Sequence, residues 1–283
     1  MCVLHIVHKR KDFMKDKRVL YVSSEVIPYL PETEISSMSF EAPKMVNNNG
    51  GQIRIFMPRY GNINERRHQL HEVIRLSGMN LVINDLDMPL IIKVASIPKE
   101  RMQVYFIDNE DYFKRKATFA DEEGNFFNDN DERAIFFAKG VIETVKKLNW
   151  SPDIIHVHGW LASFLPLYLR NYYGNEPLFE NSKIVTSVYN QGFNGTLNAE
   201  VSNKIKFDAI DDEALIPLKD PTFENVMKIA INNSDAVIVG SEDISEELQT
   251  YIAALDKPVL AFQQKEDMER EYLDFYQTKV LEQ

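Results

Sequence analysis

The alternation of short apolar runs with longer segments of helical periodicity constrains the fold of this chain most. Short apolar runs bounded by turn residues are typical of strands that are buried on both faces of a sheet. Strands that alternate with helices predict βαβ units, and therefore a parallel sheet covered by helices. The runs that carry this pattern are residues 18–22, 52–57, 154–158, 183–188 and 236–240.

Between these runs, the spacing of apolar residues predicts helices. The clearest helix is 131–148, which has acidic residues in its first turn and Lys146 and Lys147 in its last, as the helix dipole prefers. Pro43 predicts a kink or a late start in the first helix, and Ser241 is a suitable N-cap for the fifth. The predicted helices are 38–49, 131–148, 161–172, 223–232, 241–255 and 266–281.

Together these elements predict one α/β domain with a doubly wound, mostly parallel Rossmann-like sheet and helices on both faces. Shorter alternating runs at 81–83, 90–94 and 104–107 predict a small antiparallel insertion or sheet edge. We expect the domain to span residues 17–283, after a poorly ordered extension at 1–16. Met14, just before the first strand, is an alternative start of the chain.

Composition narrows the class of protein. The chain has 283 residues and a net charge of −11, so it lacks the general basic surface that nucleic-acid binding needs. Its one cysteine, Cys2, can form neither a disulfide framework nor a cysteine-based metal site. No apolar run approaches the length of a membrane span. We therefore expect a cytoplasmic protein that binds neither nucleic acid nor membrane.

The segment 153–160, with the sequence DIIHVHGW, is the strongest candidate for a functional site. Ligands of open α/β sheets bind beyond the carboxyl ends of the strands, where this run delivers His158, Gly159 and Trp160. His156 and His158 are two residues apart and project from the same face of the strand. The alternative is that both are packed, hydrogen-bonded histidines. A zinc site is disfavoured, because no third ligand is evident.

Several motifs of cofactor and nucleophile sites are missing. The glycine fingerprint of dinucleotide-binding proteins and the P-loop do not follow the first strand, and no Gly-x-Ser-x-Gly elbow is present. A glycine loop for phosphate would lie where the chain has Glu32 and Glu34, whose carboxylates would repel a phosphate. We expect no cofactor and no resident metal.

Six segments in order resemble the N-terminal domain of bacterial glycogen/starch synthases, which are two-domain glycosyltransferases of the GT-B architecture. The last two resemble that family's PDVVHAHDW and AD-x-V-x-TVS strands, and the likeness spans residues 18 to about 255. In chain order, the matching segments are RVLYVSSEVIP at 18–28, PK at 43–44, MPRYG at 57–61, DNDER at 129–133 followed by FF at 136–137, PDIIHVHGW at 152–160 and SDAVIVGS at 234–241.

The resemblance implies glucosyl transfer, with retention, from ADP-glucose to the end of an α-1,4-glucan. It also implies that this chain corresponds to half of a GT-B architecture, without the second domain that grips the nucleotide diphosphate. The family's KTGGL loop, which approaches the sugar nucleotide, aligns with PETEI at 31–35, and the aspartate that follows it is Ser37. Further departures from family positions are Gly159 for aspartate and Leu161 and Val188 for histidine.

Carried over residue by residue, the resemblance implies a catalytic role for His158 and substrate contacts for Trp160, Gly159 and Ser37. We add Tyr189 and Phe193, as exposed aromatic residues near the same edge that suit sugar faces. One hypothesis is a half-transferase, inactive alone, that needs a separately encoded second domain or a full-length synthase. The alternative is a non-catalytic glucan-binding or regulatory domain, and a third is an unrelated nucleotide-sugar protein with the same sheet.

Overall fold

A computed structural model describes residues 13–282 of the chain. Its centre is a ten-stranded sheet with helices on both faces, and the buried apolar side chains lie between the sheet and these helices. The strands are β1 (Arg18–Ser23), β2 (Gln52–Pro58), β3 (His71–Glu72), β4 (Met79–Ile83), β5 (Leu86–Ile97), β6 (Met102–Asp108), β7 (Ile154–His158), β8 (Lys183–Val188), β9 (Ala236–Val239) and β10 (Val259–Leu260).

The strand order is β10-β9-β8-β7-β1-β2-β6-β5-β3, with β4 paired to β5 alone among the described strands. All neighbours from β10 to β6 are parallel. The chain builds outward from β1 through β2 to β6, then crosses back to β7 and builds outward in the other direction. The predicted doubly wound sheet is confirmed, and its topological switch point lies between β1 and β7, where ligands of such sheets bind.

The predicted antiparallel insertion is confirmed for β4 and β5, which pair in antiparallel fashion, and a two-residue β3 that was not predicted also pairs antiparallel with β5. β6 pairs antiparallel with β5 but parallel with β2, so it is the last strand of the main sheet on that side. An apolar run indicates that a strand is buried, as β6 is at six of its seven residues, but it does not indicate whether the neighbouring strand is parallel or antiparallel.

The helices follow the predicted order, with different boundaries. The clearest one, α4, ends at Leu148, and the next residue, Asn149, has a left-handed backbone conformation. The helices are α1 (Glu34–Asn48), α2 (Glu65–His68), α3 (Glu110–Phe113), α4 (Asn130–Leu148), α5 (Phe164–Asn171), α6 (Val201–Lys206), α7 (Phe223–Asn232), α8 (Glu246–Ala253) and α9 (Lys265–Phe275). Short 3₁₀ turns at Trp160–Ala162, Pro177–Phe179 and Asp212–Lys219 and a π-helix at Tyr276–Leu281 complete the set.

The start predicted for the first helix, residue 38, is wrong by four residues. Thr33 and Ser36 form a capping box: Ser36 N donates to Thr33 Oγ1 at 3.0 Å, and Thr33 N donates to Ser36 Oγ at 2.8 Å. These bonds satisfy free backbone donors and fix the start of α1 at Glu34. Pro43 lies inside the helix without ending it.

Two other predictions need correction. Ser241 does not cap the helix that follows β9, because α8 begins five residues later and Ser245 accepts the capping bond from Leu248 N. The terminal helix is α9 followed by a π-helix, and Tyr276 in that π-helix is fully buried.

Part of the expected N-terminal extension is packed. Residues 13–16 form a turn in which Met14 is fully buried, and Met14 N donates to Asn49 O at 3.1 Å. The remainder of that extension, residues 1–12, lies outside the described residues. Within residues 13–282, no helix combines the length and apolar character needed to cross a membrane.

Candidate functional site

Side chains from the loop after β1 and from α1 lie close to the end of β7 at the switch point. Ser24, just after β1, donates its backbone N–H to His158 O at 3.0 Å, which draws the ends of β1 and β7 together. Gly159 follows with a φ of +81°, and a Cβ there would lie 2.1 Å from Ser24 Oγ and 3.3 Å from Ile35 Cδ1. Only glycine fits this close approach. The side chains of Ser24 and Ile35 thus occupy space at the switch point.

The two histidines of β7 lie behind this contact, fully buried, with ring centroids 4.0 Å apart. His156 shares hydrogen bonds through Nδ1 with Tyr276 OH at 2.6 Å and through Nε2 with Ser187 Oγ at 2.7 Å. His156 is therefore a packed, hydrogen-bonded histidine, as the alternative interpretation of the strand predicts.

His158 differs from His156 in one respect. Its Nδ1 shares a 2.7 Å hydrogen bond with Tyr189 OH, but its Nε2 has no hydrogen-bond partner among residues 13–282. Burial lowers the pKa of His158 to about 3. Burial and the neighbouring His158 lower the pKa of His156 as well. Both rings are neutral at pH 7, so neither offers a positive charge to an anionic ligand.

The carboxylates of Glu25 and Glu34 form hydrogen bonds between the loops near the two histidines. We call these contacts the carboxylate bridges. Glu25 accepts from Gln191 Nε2, with both oxygens, at 3.0 and 2.9 Å, and from Thr33 Oγ1 at 2.7 Å. Glu34 accepts a short bond from Ser241 Oγ, which itself accepts from Asn190 N.

The carboxylate bridges tie the loop after β1 and the start of α1 to the loops after β8 and β9. β7 lies between β1 and β8 in the sheet, so the bridges span the end of the strand that carries His158. The partners of both carboxylates are neutral groups, so negative charge remains at this edge. The contact with Glu34 also explains why Ser241 is not a helix cap.

Beside the bridges lies an aromatic cluster around Trp160, which is itself buried. The Trp160 ring centroid is 4.8 Å from that of Phe119 and 5.0 Å from that of Phe193. Phe126 and Phe193 stack with centroids 4.9 Å apart, and both are only partly buried. The members of the aromatic cluster are Phe119, Phe126, Trp160, Phe193 and Phe223. The cluster offers apolar ring surface at the sheet edge.

The structure places five of the six predicted site residues in two groups and leaves Ser37 apart from both. His158, Gly159 and Tyr189 form the buried interior of the edge. Trp160 and Phe193 belong to the aromatic cluster, and Ser37 lies half-buried near the start of α1, where its N–H donates to Thr33 O.

The expectation that Tyr189 is exposed is wrong. Tyr189 is 2% exposed and holds His158, so its ring cannot serve as a platform for a sugar. Phe193 is half-buried rather than open.

The sequence interpretation missed three residues of this edge. Glu25 was visible only as part of a turn motif, and its partner Gln191 is 166 residues away. No local pattern indicates a contact at that separation. Phe126 and Phe127 lie within a loop of acidic and small residues. Two adjacent phenylalanines there give no hydrophobic periodicity that would indicate a site.

Comparison with known proteins gives a consistent result. Residues 18–258 match the family model described as the starch synthase catalytic domain. A glycogen synthase of Chlorobaculum tepidum is 34% identical over 247 residues, which is 87% of this chain and 49% of that protein. One from Chlorobium phaeobacteroides is 40% identical over 189 residues, which is 66% of this chain and 39% of that protein. The chain thus spans half or less of the length of these relatives.

Among solved structures, the catalytic domain of starch synthase IV from Arabidopsis thaliana, bound to ADP and acarbose, superposes with a TM-score of 0.71. The match covers 88% of this chain and 51% of that one at 17% identity. At this identity the likeness establishes a shared fold alone. The shared region makes up about half of the longer chain.

Proposed function

This chain belongs to the family of starch synthase catalytic domains, and from that premise we propose that it binds an α-glucan at the edge described above without transferring glucose alone. Transfer from ADP-glucose would require the edge to receive a sugar diphosphate and to stabilise the leaving group. Cationic or amide donors perform that role in group transfer.

The observation that carries the proposal is the burial of His158 beneath Ser24, Ile35 and the carboxylate bridges. A group that takes part in sugar transfer must reach the reacting sugar within hydrogen-bond distance. Here the Ile35 side chain lies next to Gly159. Glu25 and Glu34 present negative charge where a diphosphate would approach. Two like charges about 4 Å apart repel by roughly 1–4 kcal/mol near a protein surface.

The aromatic cluster supports a neutral, ring-shaped ligand instead. Sugar rings present apolar C–H faces, and aromatic rings pack against them with gain of buried area. Phe126 and Phe193 offer such faces and are partly open to solvent. An uncharged glucan would not meet the repulsion that a diphosphate meets at this edge.

Tryptophan emission tests this proposal. Trp150 and Trp160 are the two tryptophans of the chain, and Trp150→Phe leaves only the one in the aromatic cluster. We expect maltoheptaose to produce a saturable change in emission of that variant, and Phe193→Ala to weaken the affinity about three- to tenfold. Ile216→Ala, at an exposed position outside the cluster, is the control. Absence of any change with maltoheptaose would reject the edge as a glucan site.

A second candidate function is transfer in combination with a partner that supplies the second domain, either a separate chain or a full-length synthase. His158 and Trp160 at the switch point favour it, since they match the family's site strand. ADP release from ADP-glucose and glycogen would be measured with the chain alone and with a full-length glycogen synthase added. Release by the chain alone would contradict the first proposal. Stimulation beyond the synthase's own rate, lost in His158→Ala, would establish the second.

A further inference from the structure

Two rings of the aromatic cluster come from one short hairpin, formed by residues 119–127, which we call the phenylalanine hairpin. It carries Phe119 and Phe126. Ala120 and Phe126 form an antiparallel bridge across it, and Phe127 N donates to Phe119 O at 3.0 Å. The positions of the two rings are therefore coupled, because the backbone segments that carry them are bonded to each other.

A side chain at the start of α4 bonds the backbone of this hairpin. Asn130 is fully buried, and its Nδ2 donates to Phe119 O at 2.8 Å. Its own backbone N–H donates to Phe127 O at 3.1 Å. Asn130 thus bonds both strands of the phenylalanine hairpin, one through its side chain and the other through its backbone.

Arg133 determines which way the Asn130 amide faces. The guanidinium donates from Nη1 to Asn130 Oδ1, and from Nε to Tyr112 O at 2.9 Å. Burial lowers the pKa of Arg133 to about 10, so the group stays charged at pH 7. Because a guanidinium has donors and no acceptor, the amide must turn its oxygen toward Arg133. This orientation leaves Nδ2 directed at Phe119 O.

Packing alone does not account for a charged side chain at position 133. Arg133 is fully buried, its hydrogen-bond partners are neutral oxygens, and its Nη2 has no partner in the described part of the chain. It lies over the rings of Tyr60, Phe113 and Phe127, with Cζ 5.1 to 5.7 Å from their centroids. An apolar side chain would fill this space at a lower cost of desolvation. The charge therefore points to a role in orienting Asn130.

We propose that Asn130, oriented by Arg133, is a positioning residue for the glucan site and fixes the phenylalanine hairpin beside Trp160. The Phe119 and Trp160 ring centroids are 4.8 Å apart, and rings that receive a ligand need support from a second layer of bonded residues. The glucan as ligand rests on the proposed function, whereas the placement of the hairpin by Asn130 does not.

The isosteric variant Asn130→Asp separates positioning from stability. A carboxylate still accepts from Arg133 and gains a buried ion pair, but it cannot donate to Phe119 O, and the two facing acceptors repel. In the Trp150→Phe background, we expect the constant for acrylamide quenching of Trp160 to rise about twofold, because the hairpin beside it opens. We expect the dissociation constant for maltoheptaose to rise about three- to tenfold.

Asn109→Asp is the matched control. Asn109 is also fully buried, lies at the start of α3, and donates from Nδ2 to Pro89 O at 2.9 Å. It should leave quenching and affinity unchanged, and its midpoint of urea unfolding is the reference for Asn130→Asp. Arg133→Gln is the second variant. A glutamine amide both donates and accepts, so it no longer fixes the Asn130 amide, and smaller changes in the same direction are expected.

The outcomes separate this proposal from the proposed function. If neither Asn130→Asp nor Arg133→Gln raises the quenching constant above that of Asn109→Asp, the positioning role is overturned, whatever glucan does. If quenching rises and maltoheptaose binds more weakly, both proposals hold. If quenching rises but the parent Trp150→Phe protein never responds to maltoheptaose, Asn130 still positions the hairpin and the glucan proposal fails.

Two further results overturn the positioning role. One is a rise in quenching with no loss of affinity for maltoheptaose, in a parent protein that binds it. The other is a urea midpoint well below that of Asn109→Asp in both variants, since Asn130 and Arg133 would then serve the stability of the fold alone.

Discussion

At the residue scale, the buried pair His156 and His158 connects the core to the candidate site. His156 is held by Tyr276 from the end of the chain, and His158 by Tyr189 from the loop after β8. The sequence predicted that both side chains share a face of the strand, and the 4.0 Å between their ring centroids confirms it. It could not predict their partners, because these lie 120 and 31 residues further along the chain.

Burial of the pair predicts a specific dependence of stability on pH. A histidine in the unfolded chain has a pKa near 6.5, whereas burial in the folded chain lowers it for both residues, to about 3 for His158. As the pH falls below about 6.5, the unfolded state takes up protons that the folded state does not, so the free energy of unfolding decreases. Each histidine contributes a slope of about 1.4 kcal/mol per pH unit.

Urea denaturation at pH 7.5, 6.5 and 5.5 measures this slope. His158→Asn removes one titrating group, so the decrease between pH 6.5 and 5.5 should be smaller by about 1 kcal/mol than in the wild type. His71→Asn is a control, since His71 is exposed and lies outside the site. Equal slopes in wild type and His158→Asn would show that His158 is not held neutral by burial.

At the scale of elements, the apolar runs predicted five strands of the parallel sheet, because strands buried on both faces have a sequence that loops do not share. β6 was assigned to the antiparallel insertion instead, and the two-residue β10 was not predicted as a strand. Helix starts were predicted less well. α1 begins at a capping box that precedes the predicted helix start at residue 38, and Ser241 resembled a cap but bonds Glu34 instead. Both errors have one physical cause. A serine or threonine hydroxyl can form a hydrogen bond either with a backbone N–H at the start of a helix or with a distant side chain, and the sequence alone does not indicate which.

The junction between β7 and the 3₁₀ turn that follows it depends on glycine, which gives a prediction with an internal control. Gly159 and Gly195 have nearly the same backbone, with φ of +81° and +79°. A Cβ at Gly159 would lie 2.1 Å from Ser24 Oγ, whereas a Cβ at Gly195 would have no atom within 4 Å. Gly195→Ala therefore carries only the backbone penalty, and Gly159→Ala carries a steric penalty as well.

We expect Gly159→Ala to lower the free energy of unfolding by about 1–3 kcal/mol more than Gly195→Ala. Chemical denaturation of both variants beside the wild type measures the difference. Similar losses in the two variants would mean that the loop after β1 shifts to accommodate the added Cβ, and that the contact between Ser24 and Gly159 does not constrain the switch point.

At the scale of the whole molecule, the sheet topology places a ligand crevice between β1 and β7, and the carboxylate bridges span the end of β7 there. The resemblance identified the fold and the strand that carries the candidate site. It could not reveal that Glu25 and Glu34 bridge to loops more than 160 residues away, because such contacts exist only after the sheet has brought strand ends together. Retained motif residues therefore coexist with an edge whose charge and packing differ from what the motifs imply.

Titration calorimetry measures directly whether this edge excludes a sugar diphosphate. The wild-type chain would be titrated with ADP-glucose and, in parallel, with maltoheptaose. We expect saturable binding of maltoheptaose and none of ADP-glucose up to about 1 mM, a limit that corresponds to roughly −4 kcal/mol of binding free energy. Saturable binding of ADP-glucose with a dissociation constant well below about 1 mM would contradict it.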